Sequence, residues 1–173
     1  WNDRTSPNNN MTNWFKNFPD AEVWTISGSS CFPENECCSN YFLIGENAML
    51  KSIFGAEKAG RRYFFNTSRG DMNLLSASID ISQNKKIKSI FASEMARFVR
   101  DVVWRMGKYD SVELKKFIKD CNPDIIFSQR RGSIKMCRLE KTVCSMTSAP
   151  IVAYTGDDEY SLNQFSWSPF FWI

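Results

Sequence analysis

A chain of 173 residues with 43% hydrophobic and 24% charged side chains can bury the core of one domain, and its composition is not that of a disordered segment. It contains no histidine, which excludes a Ser-His-Asp triad, a Cys-His pair and a histidine-bearing zinc site, and leaves proton transfer to carboxylates, Lys, Tyr or Cys. Its 22 basic and 19 acidic residues sum to a net charge of +3, which does not argue for a nucleic-acid partner.

Residues 1–10 are polar and read as a loop, with Asn8, Asn9 or Asn10 as the cap of a helix. That helix carries Met11, Trp14, Phe15 and Phe18 at helical spacing and stops at Pro19. Ala21 to Ser27 alternates and is β-branched, which predicts a strand closed by Gly28-Ser29-Ser30. The chain is irregular from Cys31 to Asn40, and Tyr41 to Ile44 is a second short strand. Glu46 to Phe54 places Met49, Leu50, Ile53 and Phe54 along a helix that Gly55 ends. Residues 57–82 show little periodicity.

The clearest pattern runs from Asn84 to Met106. Ile87, Ile90, Phe91, Met95, Phe98, Val99, Val102, Val103 and Met106 recur every three or four residues, the stripe of a long amphipathic helix. Its other face holds Lys85, Lys86, Lys88, Arg97, Arg100 and Arg105. Such a face is either solvated or a contact for anionic lipid head groups. A helix follows from Asp110 to Cys121, with Asp110 and Glu113 spaced as a capping box, and Asn122-Pro123 stops it.

Asp124 to Ser128 and Pro150 to Tyr154 are short apolar runs of the buried-strand type. Between them Gln129 to Gly132 is a loop, and Ser133 caps a helix that runs to about Met146. Buried apolar strands joined by helices predict an α/β fold with a mainly parallel sheet. No apolar run reaches the roughly 18 residues of a membrane-spanning helix. The start at Trp1 has neither the pattern of a signal peptide nor a Met, as expected of a chain processed or cut from a longer one.

Six cysteines without a Cys-x-x-Cys pair argue against a thiolate metal site and read as reduced, mostly structural thiols. The sequons at Asn10 and Asn66 read as chance matches. Ligands of open parallel sheets bind beyond the carboxyl ends of the strands. That rule selects Ser27-Gly28-Ser29, then Ser128-Gln129-Arg130-Arg131-Gly132-Ser133, then Thr155-Gly156-Asp157-Asp158. The two arginines at a helix start suit an anion, and the two aspartates suit a base or acceptors for hydroxyls. Each loop also reads as an ordinary turn. Phosphate-binding glycine motifs are absent, which disfavours a dinucleotide domain or a P-loop enzyme.

The order of these segments carries a resemblance. A helix ends at Phe18-Pro19 and the strand Ala21 to Ser27 follows. Much later come Asn122-Pro123-Asp124-Ile125-Ile126-Phe127-Ser128-Gln129 and, after one helix, Ala149-Pro150-Ile151-Val152-Ala153-Tyr154-Thr155-Gly156-Asp157-Asp158. From about Thr12 to the aspartate pair the chain resembles the N-terminal, acceptor-side domain of GT-B glycosyltransferases of the family-4 type, found in bacterial capsule and surface-polysaccharide synthesis.

The resemblance implies a Rossmann-like three-layer sandwich over residues 1–173, a fragment lacking the C-terminal nucleotide-sugar domain. It implies a first strand ahead of Trp1, no metal or other cofactor, and transfer of a hexosyl group from a nucleotide sugar to a saccharide or lipid-linked acceptor by the whole enzyme. This fragment alone is expected to be inactive. The setting implied is cytoplasmic, with peripheral inner-membrane contact through the basic face of residues 85–105 as an added expectation. Relatives often carry His where Gly156 stands, so Asp157 and Asp158 are the expected catalytic contacts. Substrate binding falls to Arg4, Thr5, Ser6, Ser128, Gln129, Arg130, Arg131, Ser133 and Gly156. Two other readings stand beside it: a non-catalytic flavodoxin-like α/β binding domain with a complete five-stranded sheet, and a membrane-surface adaptor.

Overall fold

The structure is a computed structural model, and it describes residues 6–18, 20–28, 35, 37–55, 57–64, 94–129 and 133–154. Ten elements follow in chain order: α1 (Ser6–Phe15), β1 (Val23–Ser27), β2 (Cys38–Leu43), α2 (Glu46–Phe54), β3 (Arg61–Phe64), α3 (Glu94–Met106), α4 (Val112–Cys121), β4 (Ile126–Gln129), α5 (Ile134–Cys144) and β5 (Ile151–Tyr154). The class is mixed α/β. Among the described residues the strands form two sheets, β1-β2-β3 and β4-β5.

β1 pairs parallel to β2, in register from Trp24↔Asn40 to Ser27↔Leu43, with a shift at Val23/Trp24. β3 returns antiparallel along β2, from Asn40↔Phe64 to Leu43↔Arg61. This strand lies in the stretch whose sequence shows no period, and it makes the first sheet mixed rather than parallel. β4 and β5 pair parallel, Ile126↔Ile151 through Gln129↔Tyr154.

One cluster joins the two sheets. Phe42, Ile44, Met49, Trp104, Tyr109, Leu114, Phe117, Ile118, Leu139 and Val143 are buried together, and Trp24, Ile26 and Ile126 pack against them. The Phe117 ring lies 5.0 Å from Trp24 and 5.6 Å from Phe42, so α4 covers the β1–β2 sheet through aromatic contacts. Side chains of this size each contribute about 1.5–3 kcal/mol on burial. α3 packs on both α2 and α5.

The β4–β5 sheet has a helix on each face. Trp14 and Phe15 of α1 meet Phe127 edge-on at 5.8 and 5.5 Å, and Trp14 also meets Tyr154 at 4.6 Å. On the opposite face of β4, Ser128 points to α5. That alternation is the two-residue period of a strand.

Several expectations need correction. α1 begins at Ser6, so Asn8, Asn9 and Asn10 lie inside the helix instead of capping it. β2 begins at Cys38 because the carbonyl of the Asn35 side chain accepts from the Cys37 and Cys38 N–H groups at 3.0 and 2.9 Å and turns the chain into the sheet. The cap of α4 is Ser111, whose hydroxyl accepts from the Leu114 N–H at 3.0 Å. Asp110 instead pairs with Lys58 at 3.0 Å, which holds the carboxylate away from the helix start.

α5 ends at Cys144, two residues short of Met146. β5 is not a buried strand: all four of its residues are exposed, Val152 by 49%. β4 is only half-buried, and Ile125 before it is 59% exposed. Among the described residues both apolar runs sit in a two-stranded sheet, and each keeps exposed side chains. Of the predicted helix from Asn84 to Met106, residues 84–93 lie outside the described residues, and α3 occupies the remainder.

Candidate functional site

The residue after β1 meets the helix that follows β4. Gly28 follows β1 and is buried; a Cβ built there would lie 2.2 Å from Lys135 Cε and 3.2 Å from Trp104 Cη2. Lys135 belongs to the first turn of α5, the helix that follows β4. Its ammonium stands 4.9 Å from the centre of the Trp104 ring, a cation–π contact. One lysine thus links the residue after β1, α3 and the start of α5.

Two of the expected binding residues are seen in this place. Ser128 is buried, and its hydroxyl donates to Glu140 Oε2 at 2.8 Å. Ser133 caps α5, its hydroxyl accepting from the Met136 N–H at 3.3 Å. Both hydroxyls are therefore engaged within the protein: that of Ser128 fixes α5 against β4, and that of Ser133 caps α5 itself. Gln129, the last residue of β4, is half-buried opposite Tyr154. Ser6 is the first residue of α1. Arg4, Thr5, Arg130, Arg131, Gly156, Asp157 and Asp158 lie outside the described residues.

Lys135, Glu140 and Trp104 were not among the expected site residues. Their signals are weak: Lys135 is two residues past the Ser133 cap, Glu140 is a helical carboxylate, and Trp104 stands beside the apolar stripe of its helix without belonging to it. The start of α5 adds the positive end of a helix dipole, about half a unit charge. Lys135 and that helix end bring positive charge to this place.

Elsewhere, two open cavities of about 380 and 570 Å³ flank α4 and α5. The first is bounded by residues 107–110, α4 and the second half of α5. The second lies where both helices end, near Asn122 and Ser145, at the amino-terminal side of β4 and β5. Neither includes the strand ends. Among the described residues no three His, Cys, Asp or Glu side chains are grouped to hold a metal ion. No described helix is long and apolar enough to cross a membrane.

The described cysteines form no disulfide: Cys37, Cys38, Cys121, Cys137 and Cys144 are thiols. Cys38 is buried beside Thr25, whose hydroxyl is 3.2 Å from its sulfur, and burial pushes its pKa up. Cys121 is also raised, by burial and then by the carboxylates of Glu22 and Asp124. Neither has the lowered pKa of a nucleophilic thiol.

Comparison with known proteins returns no matching family model, no matching curated protein and no matching solved structure.

Proposed function

We propose that this chain is the acceptor-side domain of a GT-B-type glycosyltransferase, with a Rossmann-like three-layer sandwich and a cleft beyond the strand ends. The observation that carries the reading is the contact of Gly28, which follows β1, with Lys135, in the first turn of the helix that follows β4. In an open parallel sheet, ligands bind beyond the carboxyl ends of the strands. Two further features support it. α1 and α5 lie on opposite faces of the β4–β5 sheet. Among the described residues, β1 and β4 each pair on one edge only.

In this reading Lys135 and the α5 start hold an anionic group of a saccharide or lipid-linked acceptor. Arg130 and Arg131, in the loop between Gln129 and Ser133, add charge for the same group. Asp157 and Asp158 contact hydroxyls of the transferred sugar or acceptor, and Gly156 leaves room for it. The donor is a nucleotide sugar bound by a further domain, with Arg4, Thr5 and Ser6 towards it. No metal is required. The cytoplasm, with the basic face of residues 85–105 towards a membrane, is the setting this reading expects.

The test is release of nucleoside diphosphate from a panel of nucleotide sugars by the full-length gene product. Release that needs an acceptor supports the reading. Asp157→Asn with Asp158→Asn should lower turnover by about a hundredfold, the usual contribution of positioned acid–base or polar groups. No release from any nucleotide sugar, or unchanged turnover in the variant, overturns the function or the site respectively.

A further inference from the structure

We propose that the cavity of about 380 Å³ between residues 107–110, α4 and the second half of α5 binds a soluble phosphate-bearing small molecule. This site is separate from the strand ends and does not depend on the transferase reading. Its lining holds two cations, Lys115 and Arg138, one carboxylate, Asp110, and the hydroxyls of Tyr109, Thr142 and Ser145. Lys58 pairs with Asp110 at 3.0 Å, so among the described residues the carboxylate of the lining has a cation of its own and both lining cations remain in excess.

Arg138 is fixed before any ligand arrives. Its Nη1 donates to the Trp104 carbonyl, and its guanidinium stacks 5.6 Å from the Tyr109 ring centre. One of its five N–H groups is used there, and a rigid planar fork is what bidentate phosphate recognition needs. The Tyr109 and Thr142 hydroxyls share a bond at 3.1 Å. A shared bond uses one of the two hydroxyl protons, so one remains to donate.

Arg138 decides between the two cavities. Lys115 lines both, and both touch the end of α5 at Ser145 and Met146, so helix dipoles do not separate them. The second adds only Lys119, whereas the first holds the fixed guanidinium. The anion therefore belongs in the first, between Lys115 and Arg138.

The experiment titrates the protein with inorganic pyrophosphate by calorimetry at low ionic strength. Saturable binding with a Kd on the order of 1 mM or tighter is expected. Lys115→Gln should weaken it by about tenfold, the effect of losing one charge-assisted contact. Lys116→Gln, the next residue on α4 but outside the lining, should leave it unchanged. Arg138→Lys keeps the charge and should still weaken binding through loss of the fork; should that variant unfold, Lys119→Gln, which lines only the second cavity, should leave binding unchanged, and a loss there equal to that of Lys115→Gln would overturn the choice of cavity. A parallel arm measures sedimentation with vesicles containing phosphatidic acid. No saturation by pyrophosphate, equal effects of Lys115→Gln and Lys116→Gln, or binding to vesicles alone overturns the proposal.

Discussion

The guanidinium of Arg62 lies 4.9 Å from the centre of the Trp24 ring, joining β3 to β1 across β2. The same group stands 5.5 Å from the Phe117 ring and reaches Asp120 at 2.5 Å, so it also fastens the sheet to α4. The ion pair is more than a third exposed on both partners and is worth little by itself. Stacking on two aromatic faces is the larger part. Arg62→Ala should therefore destabilise the protein by about 1–2 kcal/mol, and Arg62→Lys by about half of that. Urea denaturation at 50 mM and 500 mM salt checks the division, since salt screens the ion pair and leaves the stacking.

Gly60 sits at the entry to β3 with φ +107°, and a Cβ there would fall 2.4 Å from Phe42 Cε1 and 3.1 Å from Ile44 Cγ1. Strain and overpacking act together at this position, because both neighbours are fully buried. Gly60→Ala should cost about 2–4 kcal/mol, seen as a fall in Tm and in the urea midpoint. Gly55, with an extended backbone, is an internal comparison and should tolerate alanine far better.

Thiol chemistry should separate the cysteines. Cys38 and Cys121 are held protonated by burial, while Cys137 is exposed on α5. Alkylation at pH 8 followed by mass mapping should therefore label Cys137 first and Cys38 last. The same shifts affect stability. The folded state holds these two protons more tightly than the unfolded chain. Stability is then unaffected below the ordinary thiol range and falls as pH rises through about 8.5 and beyond. Cys38→Ser should flatten that decline, measured as the urea midpoint against pH.

What was legible in the sequence depends on whether a signal is local. α2 reads correctly because Met49, Ile53 and the Gly55 stop lie within one short segment. The stop of α4 reads correctly too: Asn122 adopts the left-handed conformation, φ 43°, and proline follows it. Its start misleads because Asp110 and Ser111 are both good caps, and only Lys58, 52 residues away, decides between them. β3 is hidden because Arg61 and Arg62 look like loop charges, and the aromatic face that takes Arg62 comes from β1 and α4. The burial of β5 was misjudged because an apolar run does not say how many strands cover it. At the site, Ser133 was readable as a cap, whereas the meeting of Gly28 with Lys135 depends on contacts more than 100 residues apart in sequence.

That meeting supplies the last prediction. The Lys135 stem lies where a side chain on Gly28 would project, with the edge of Trp104 just behind it. A lysine tail can move, so Gly28→Ala should cost only about 1 kcal/mol, mostly by pushing the ammonium off the Trp104 face. Lys135→Ala removes the obstacle and the cation–π contact together. The two substitutions share one contact and should not add: in a double-mutant cycle, Gly28→Ala should cost at least about 0.5 kcal/mol less when Lys135 is already alanine. Additive costs would mean that the lysine and the glycine are independent, and the residue after β1 and the start of α5 would lose the contact that links them. Under the proposed transferase reading, Gly28→Ala should also weaken turnover with an anionic acceptor more than with a neutral one, because it displaces the charge.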